Sequence, residues 1–161
     1  MSRMHNPRQG IVAAGLIERY QWADGAIVNA KDGKLAAYLL AQFPELALVI
    51  TAPWGGGELY AQNLGIASLH AKNAAVIDAP TTAAPALVPD GVLDFAFLAS
   101  NDGGELAELI DLWLPKIGAW GWLIGADCGW SDVSRILDDK LAAWNKRGAG
   151  LWTYPINPAH R

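Results

Sequence analysis

A chain of 161 residues, 52% hydrophobic and 17% charged, is long enough for one domain with a shared core and too apolar to stay disordered. Its net charge is −4, and its twelve Lys and Arg residues are scattered, so it lacks the clustered basic surface that a nucleic-acid partner requires. No apolar run reaches the roughly 18 residues of a membrane span and no charged start leads into an apolar stretch, so no membrane partner or secretory signal is expected and the expected compartment is cytoplasmic.

Met1 to Gly10 is polar, with His5, Pro7 and Arg8, and has no apolar periodicity; residues 1–10 read as a flexible tail and 11–161 as a single domain. Ile11, Val12, Leu16 and Ile17 then recur at helical spacing, which predicts an amphipathic helix from Ile11 to Tyr20, ending near Trp22. Asp24 and Gly25 break it. Ala26 to Ala30 is a short apolar run with β-branched residues, and Lys31, Asp32 and Gly33 turn it into a helical stretch from Lys34 to Phe43. The unit repeats as a strand from Leu46 to Thr51, a turn-rich loop from Pro53 to Gly57 and a helix from Glu58 to Ala71. A third strand covers Ala74 to Asp78, followed by a Pro- and Thr-containing segment up to Pro89. Val92 to Leu98 is a fourth strand, Gly104 to Leu114 a helix, and Trp120 to Gly125 a fifth strand. Asp132 to Lys146 is predicted as a helix with Val133, Ile136, Leu137 and Leu141 on one face, and Gly150 to Ile156 as a last strand.

Strands that are apolar on both faces and alternate with helices predict an α/β domain of three layers, a doubly wound, mostly parallel sheet covered on both sides. Ligands of such sheets bind outside the carboxyl ends of the strands, where strand order reverses. A site therefore belongs at the loops after Ala30, Thr51, Asp78, Leu98 and Gly125.

Four stretches around these loops carry a family likeness: ERYQWADGAIVNAKDGKLAAYLL, LVITAPW, LDFAFLASNDGGELAELIDLWLPKI and AWGWLIGADC. In order and spacing they resemble the class I S-adenosylmethionine-dependent methyltransferases, a Rossmann-like family, and above all its small-molecule branch. The first resembles the family's EIGxGxG turn, the second a strand ending in an acid, the third an IDADH strand end and the fourth the PGGxLxxxD approach to the fifth strand. The resemblance runs from about Leu16 to Tyr154. It implies a small-molecule ligand and S-adenosylmethionine as cofactor.

Position by position, the family's anchoring chemistry is altered. The acid of the first strand falls on Ile27, the first glycine of the turn on Asn29 and the next on Lys31, while Gly33 is kept. The ribose acid falls on Ala52, which accepts no hydrogen bond. Asp78 is offset from the adenine position, where Pro80 stands instead. Ala99 and Asn101 replace the two acids of the fourth strand end, Asp102 stands where a His is common, and Asp127 matches an acidic position. The resemblance thus places cofactor contacts at Asn29, Ala30, Asp32, Gly33, Ala52, Trp54, Asp78 and Ala99, and makes Asp102 and Asp127 the catalytic candidates. Each lost charge-assisted hydrogen bond is worth about 1.5–3 kcal/mol, so several together lower affinity by orders of magnitude. Three functions stay open: a small-molecule methyltransferase with altered contacts, working by proximity and alignment; a non-catalytic binding or assembly module, with a homo-oligomer as one form; and a cleft refitted for another nucleotide or metabolite.

Several residues carry two readings. Asp32, Gly33 and Lys34 suit either an anion at a helix N-terminus or a plain cap and tight turn. Asp102 with Asn101 suits a proton acceptor, a metal-assisting pair or an N-cap turn. Cys128 is the one cysteine, so it forms no internal disulfide; without a His or Cys at ligand spacing it predicts no metal site, and it reads as a buried, inert thiol. Among the eight tryptophans, Trp54, Trp120, Trp122 and Trp130 fall near strand ends and suit a ligand cleft or an oligomer contact. Trp54, directly after Pro53, is the one placed nearest the pocket. His70 and His160 have no visible partners, and Lys140, Lys146 and Arg147 read as a solvated helix face.

Overall fold

Alternate residues of the first strand, β1 (Asp24–Val28), feed two different cores: Ile27 faces one, Ala26 and Val28 the other. The same alternation runs through β4 (Leu93–Leu98), where Phe95 and Phe97 point to the first core and Ala96 and Leu98 to the second. A strand buried on both faces belongs in the middle of a covered sheet, and β1 and β4 lie side by side there. The computed structural model describes residues 7–70 and 72–160, in which seven strands form one sheet in the order β3-β2-β1-β4-β5-β7-β6. The outer members are β2 (Ala47–Ala52) and β3 (Ala74–Asp78) on one side, and β5 (Ile117–Gly125), β7 (Trp152–Pro155) and the short β6 (Asn145–Lys146) on the other. Strands β1 to β5 pair in parallel, and β7 is antiparallel to both of its neighbours.

Helices α1 (Pro7–Tyr20) and α2 (Lys34–Gln42) cover the first face through Ala13, Leu16, Ile17, Ala36, Leu39 and Leu40, and α3 (Gly57–Leu69) adds Ile66. On the other face, α4 (Gly103–Trp113) and α5 (Ser131–Lys140) bury Leu106, Leu109, Ile110, Trp113, Val133 and Leu137. Each such Leu or Ile contributes about 1.5–3 kcal/mol when fully buried. The start of β1 is fixed from the next strand: the Asp94 carboxylate accepts from the backbone N–H groups of Ala23 (2.7 Å) and Asp24 (3.1 Å). The layered, doubly wound, mostly parallel architecture is the one the sequence predicts.

Three local expectations need correction. The first helix begins at Pro7, so residues 7–10 are helical rather than tail; residues 1–6 lie outside the described residues. The last helix stops at Lys140 instead of Lys146, because buried Leu141 leaves helical geometry (φ −136°) and Asn145 and Lys146 pair with β7. Lys140, Lys146 and Arg147 therefore share no helix face. Lys140 pairs with Asp111 at 2.8 Å, whereas Arg147 donates to the Thr153 hydroxyl at 3.1 Å and lies over the Trp122 ring. The third correction is one of register: β1 ends at Val28, which puts Asn29 and Ala30 in the turn and not in the strand.

Candidate functional site

Between β1 and β4 the order of strands reverses, and successive crossovers leave to opposite sides, which opens a crevice at their carboxyl ends. Two clefts of about 340 and 470 Å³ lie there side by side, within the usual range for small-molecule sites. The first is walled by the β1–α2 turn, the segment after β4 and the end of β5; the second lies between that turn and the β2–α3 loop. Asn29, Lys31 and Glu105 line both.

The β1–α2 turn is held from behind by α3. The carbonyl of Lys31 accepts from the Trp54 indole N–H (3.1 Å) and from Asn63 Nδ2 (3.2 Å), and Asn63, fully buried, also donates to the carbonyl of Leu59 at 2.8 Å. Gly33 is the N-cap of α2 at φ 78°, and a Cβ there would come within 2.5 Å of Asn63 Oδ1. Glycine at this position thus follows from both the backbone and the close helix. Asp32 accepts from the backbone N–H of Lys34 at 3.0 Å, so its carboxylate closes the turn.

At the end of β2, Ala52 is 7% exposed and offers only a methyl group to the second cleft. Asp78, at the end of β3, takes the backbone N–H groups of Gly55 (2.9 Å) and Gly56 (2.7 Å) and lines neither cleft; it shapes the β2–α3 loop instead. Trp54 lines the second cleft, as placed from sequence, and Ala30, Asp32, Gly33 and Ala99 line the first.

The N-terminus of α4 departs from the usual capping pattern. Asp102 is the N-cap and accepts from the Glu105 N–H at 3.0 Å. In a capping box the residue three positions on would reach back to the N-cap N–H. Here the Ser100 hydroxyl accepts from that group at 3.2 Å, and the Glu105 side chain turns into the clefts, where it accepts from Asn29 Nδ2 at 2.6 Å.

Asp127 follows β5 with a left-handed backbone (φ 62°), and its carboxylate has no hydrogen-bond or ion-pair partner among the described residues. Burial pushes its pKa up from the ordinary carboxylate range. Asn29, at φ 60°, is the other non-glycine cleft residue in this conformation, which Asn and Asp tolerate best. Asp102 and Asp127 both line the first cleft, Asp102 with its carboxylate engaged as a cap and Asp127 with its own unengaged. Cys128 is 4% exposed, and burial raises its pKa as well, in keeping with an inert thiol.

Of the remaining tryptophans, Trp130 lines the first cleft, Trp122 is core, and Trp120 lies 67% exposed beside His160, in the first half of β5 and away from the clefts. Sequence reasoning passed over Glu105, and it left Gln9 in a tail although Gln9 lines the first cleft from α1. The Asp-Gly-Gly-Glu spacing of a capping box was the available signal for Glu105. Four carboxylates (Asp32, Asp102, Glu105, Asp127) and two lysines (Lys31, Lys34) surround the first cleft, an excess of negative charge that suits a cationic ligand. Among the described residues no three His, Cys, Asp or Glu side chains gather as a metal site, and no helix is long and apolar enough to cross a membrane.

No protein-family model and no curated protein matches the chain. Solved structures do. An O-methyltransferase from Bacillus cereus in complex with S-adenosylhomocysteine superposes with TM-score 0.74 at 10% identity, over 94% of this chain and 82% of that one. A methyltransferase from Podospora anserina, also bound to S-adenosylhomocysteine, gives 0.74 at 12% identity over 92% and 78%. A protein from Corynebacterium glutamicum gives 0.74 at 16% identity over 94% and 82%. Sheet order, crevice and these superpositions agree: the chain shares the Rossmann-like α/β fold of these methyltransferase structures.

Proposed function

We propose that this chain is a small-molecule methyltransferase that binds S-adenosylmethionine in the paired clefts, through contacts other than a ribose carboxylate. The observation that supports it is Asp127: a partly buried, unengaged carboxylate on a left-handed backbone, facing a negatively lined cleft at the strand switch point. The donor set fits a cationic nucleoside in charge and in room, whereas Ala52 leaves the ribose hydroxyls without an anionic acceptor. That loss weakens binding by about 1.5–3 kcal/mol, roughly 10- to 150-fold.

When bound, S-adenosylmethionine supplies an activated methyl group on sulfur. Alignment then carries most of the reaction, and an oxygen or nitrogen acceptor must lose a proton as its new bond to carbon forms. In this reading Asp127 takes that proton; it lines the first cleft, and burial raises its pKa, which makes it a stronger base than an ordinary carboxylate.

Thermal unfolding with S-adenosylmethionine and S-adenosylhomocysteine tests this. Ligand at 100 times its dissociation constant adds about 2.7 kcal/mol, a rise in Tm of roughly 5–11 °C for a domain of this size. No rise at millimolar ligand overturns the proposal. A non-catalytic module is the second reading, supported by the engagement of Asp102 as a helix cap. Its homo-oligomeric form would cover the exposed Leu64 and Leu69 of α3, and sedimentation of a monomer would overturn that form.

A further inference from the structure

The two edges of the sheet are built in opposite ways. At one, β6 is two residues long and ends on the exposed Lys146, so it offers almost no ladder to another strand. At the other, β3 runs for five residues, Ala-Ala-Val-Ile-Asp, with no proline and no charge before its last position. Between Leu59 and Pro89 only Lys72 and Asp78 carry a formal charge, and they stand at the two ends of this strand. Depletion of charge marks the buried centre of interfaces.

The hydrogen bonds of β3 show which main-chain groups face outward. The Leu48 N–H donates to the Asn73 carbonyl (2.7 Å) and the Ala79 N–H to the Ala52 carbonyl (3.3 Å), so residues 73, 75, 77 and 79 turn their main chain toward β2. Residues 74, 76 and 78 therefore turn theirs away from the sheet. The Ala74 N–H is taken by the His70 carbonyl at 3.0 Å. The Ala74 carbonyl and both main-chain groups of Val76 and Asp78 have no partner among the described residues.

These free groups are self-complementary. With a twofold axis at Val76, an antiparallel second copy of β3 sets Val76 against Val76 and Ala74 against Asp78. Each Val76 N–H then meets the other Val76 carbonyl, and each Asp78 N–H meets the other copy's Ala74 carbonyl. The donor this register leaves out, the Ala74 N–H, is the one already bonded to His70. Charge follows the same axis, because Lys72 stands two residues before Ala74 and so lies diagonal to the second copy's Asp78, within reach of a long side chain. Lys72 is exposed and has no ion-pair partner among the described residues. Each Asp78 carboxylate oxygen accepts one backbone N–H and keeps a second acceptor site.

We propose that the free edge of β3 is a dimer interface, at which a second copy of this chain continues the sheet antiparallel to the first. Helix α3 lies against β3 and exposes Leu64 and Leu69, which adds apolar surface beside the seam. A twofold contact closes on itself, so it makes dimers and not fibres. The inference stands apart from the methyl-donor reading, since none of Ala74 to Asp78 lines either cleft.

Sedimentation equilibrium of the whole chain, with hydrogen exchange read at single amides, tests it. The wild type is expected at twice the chain mass of 17.2 kDa, with the Val76 and Asp78 amides exchanging more slowly as protein concentration rises. Val76→Pro removes an N–H that the β2 ladder does not use, at the kind of position where edge strands accept proline. It should sediment as a monomer with an unchanged circular dichroism spectrum. Lys72→Glu, a change of an exposed side chain, should weaken dimerisation by about tenfold, and added salt should restore part of the loss. A wild type that stays monomeric at high micromolar concentration overturns the proposal. So does a dimer that both variants leave intact, or one whose Val76 and Asp78 amides exchange freely, because its contact then lies elsewhere. Should Val76→Pro fail to fold, Lys72→Glu and the exchange pattern decide.

Discussion

Asn29 and Glu105 stand on opposite sides of the point where strand order reverses, and one hydrogen bond of 2.6 Å joins them across it. Asn29 begins the turn after β1, and Glu105 lies in the first turn of α4, after β4. The bond therefore ties the two halves of the doubly wound sheet at the mouth of the clefts. Asn29 reaches it only from a left-handed backbone, which costs an alanine about 1–2 kcal/mol and a glycine almost nothing.

Asn29→Ala should accordingly lower stability by about 1.5–3 kcal/mol, from the backbone and the lost bond together. Asn29→Gly, which loses the bond alone, should cost roughly 1 kcal/mol less. Urea unfolding of both variants measures the difference, and equal costs would show that the conformation of residue 29 carries no strain.

Gly33→Ala places a methyl group against Asn63 and Ile66 at a positive φ. Overpacking and the left-handed backbone together predict a loss of about 2–4 kcal/mol. Gly15, which has open space around it on α1, is the control: Gly15→Ala should be neutral or stabilising by up to about 1 kcal/mol in the same urea assay.

The layers were legible in the sequence because apolar runs such as Leu46 to Thr51 and Val92 to Leu98 alternate with helical spacing, and burial on both faces leaves few other arrangements. The places of Ala52 and Asp127 at strand ends were legible for the same reason. Other features depend on contacts between distant segments. Helical composition runs past Lys140, yet pairing of Asn145 and Lys146 with β7 overrides it. Asp78 and Glu105 show the same limit at the site. Whether a carboxylate enters a cleft or binds nearby amides was decided by Gly55 and Gly56 in one case and by the Ser100 hydroxyl in the other.

Asp127 makes a prediction about pH. Burial favours its protonated form in the folded state, so between the ordinary carboxylate range of the unfolded chain and the raised folded value the native state holds more protons. Stability contributed by this site is therefore present at low pH and is lost as pH rises through that window. Asp127→Asn keeps a residue that tolerates the left-handed backbone and removes the titration. The variant should be more stable than wild type at pH 7, with the gap closing toward about pH 4. Urea midpoints across that range check it, and a gap independent of pH would contradict it.

Ala52→Asp should restore an acceptor for the ribose hydroxyls and tighten S-adenosylhomocysteine binding by about tenfold, or ~1.4 kcal/mol, in calorimetry. Ile27→Glu, the matching change in the first strand, should instead destabilise the fold, because Ile27 borders the first cleft but is 2% exposed and packs in the core, so a carboxylate there would be largely desolvated. Tighter binding by the Ile27 variant in a folded protein would show that the β1 end faces the ligand more openly than the core packing indicates.

Whether the paired clefts hold the methyl donor is decided by a crystal structure of the wild type soaked with S-adenosylhomocysteine. Ligand density is expected in those clefts, at the carboxyl ends of β1 and β4. Density bound elsewhere, or clefts left empty at millimolar ligand, would contradict it.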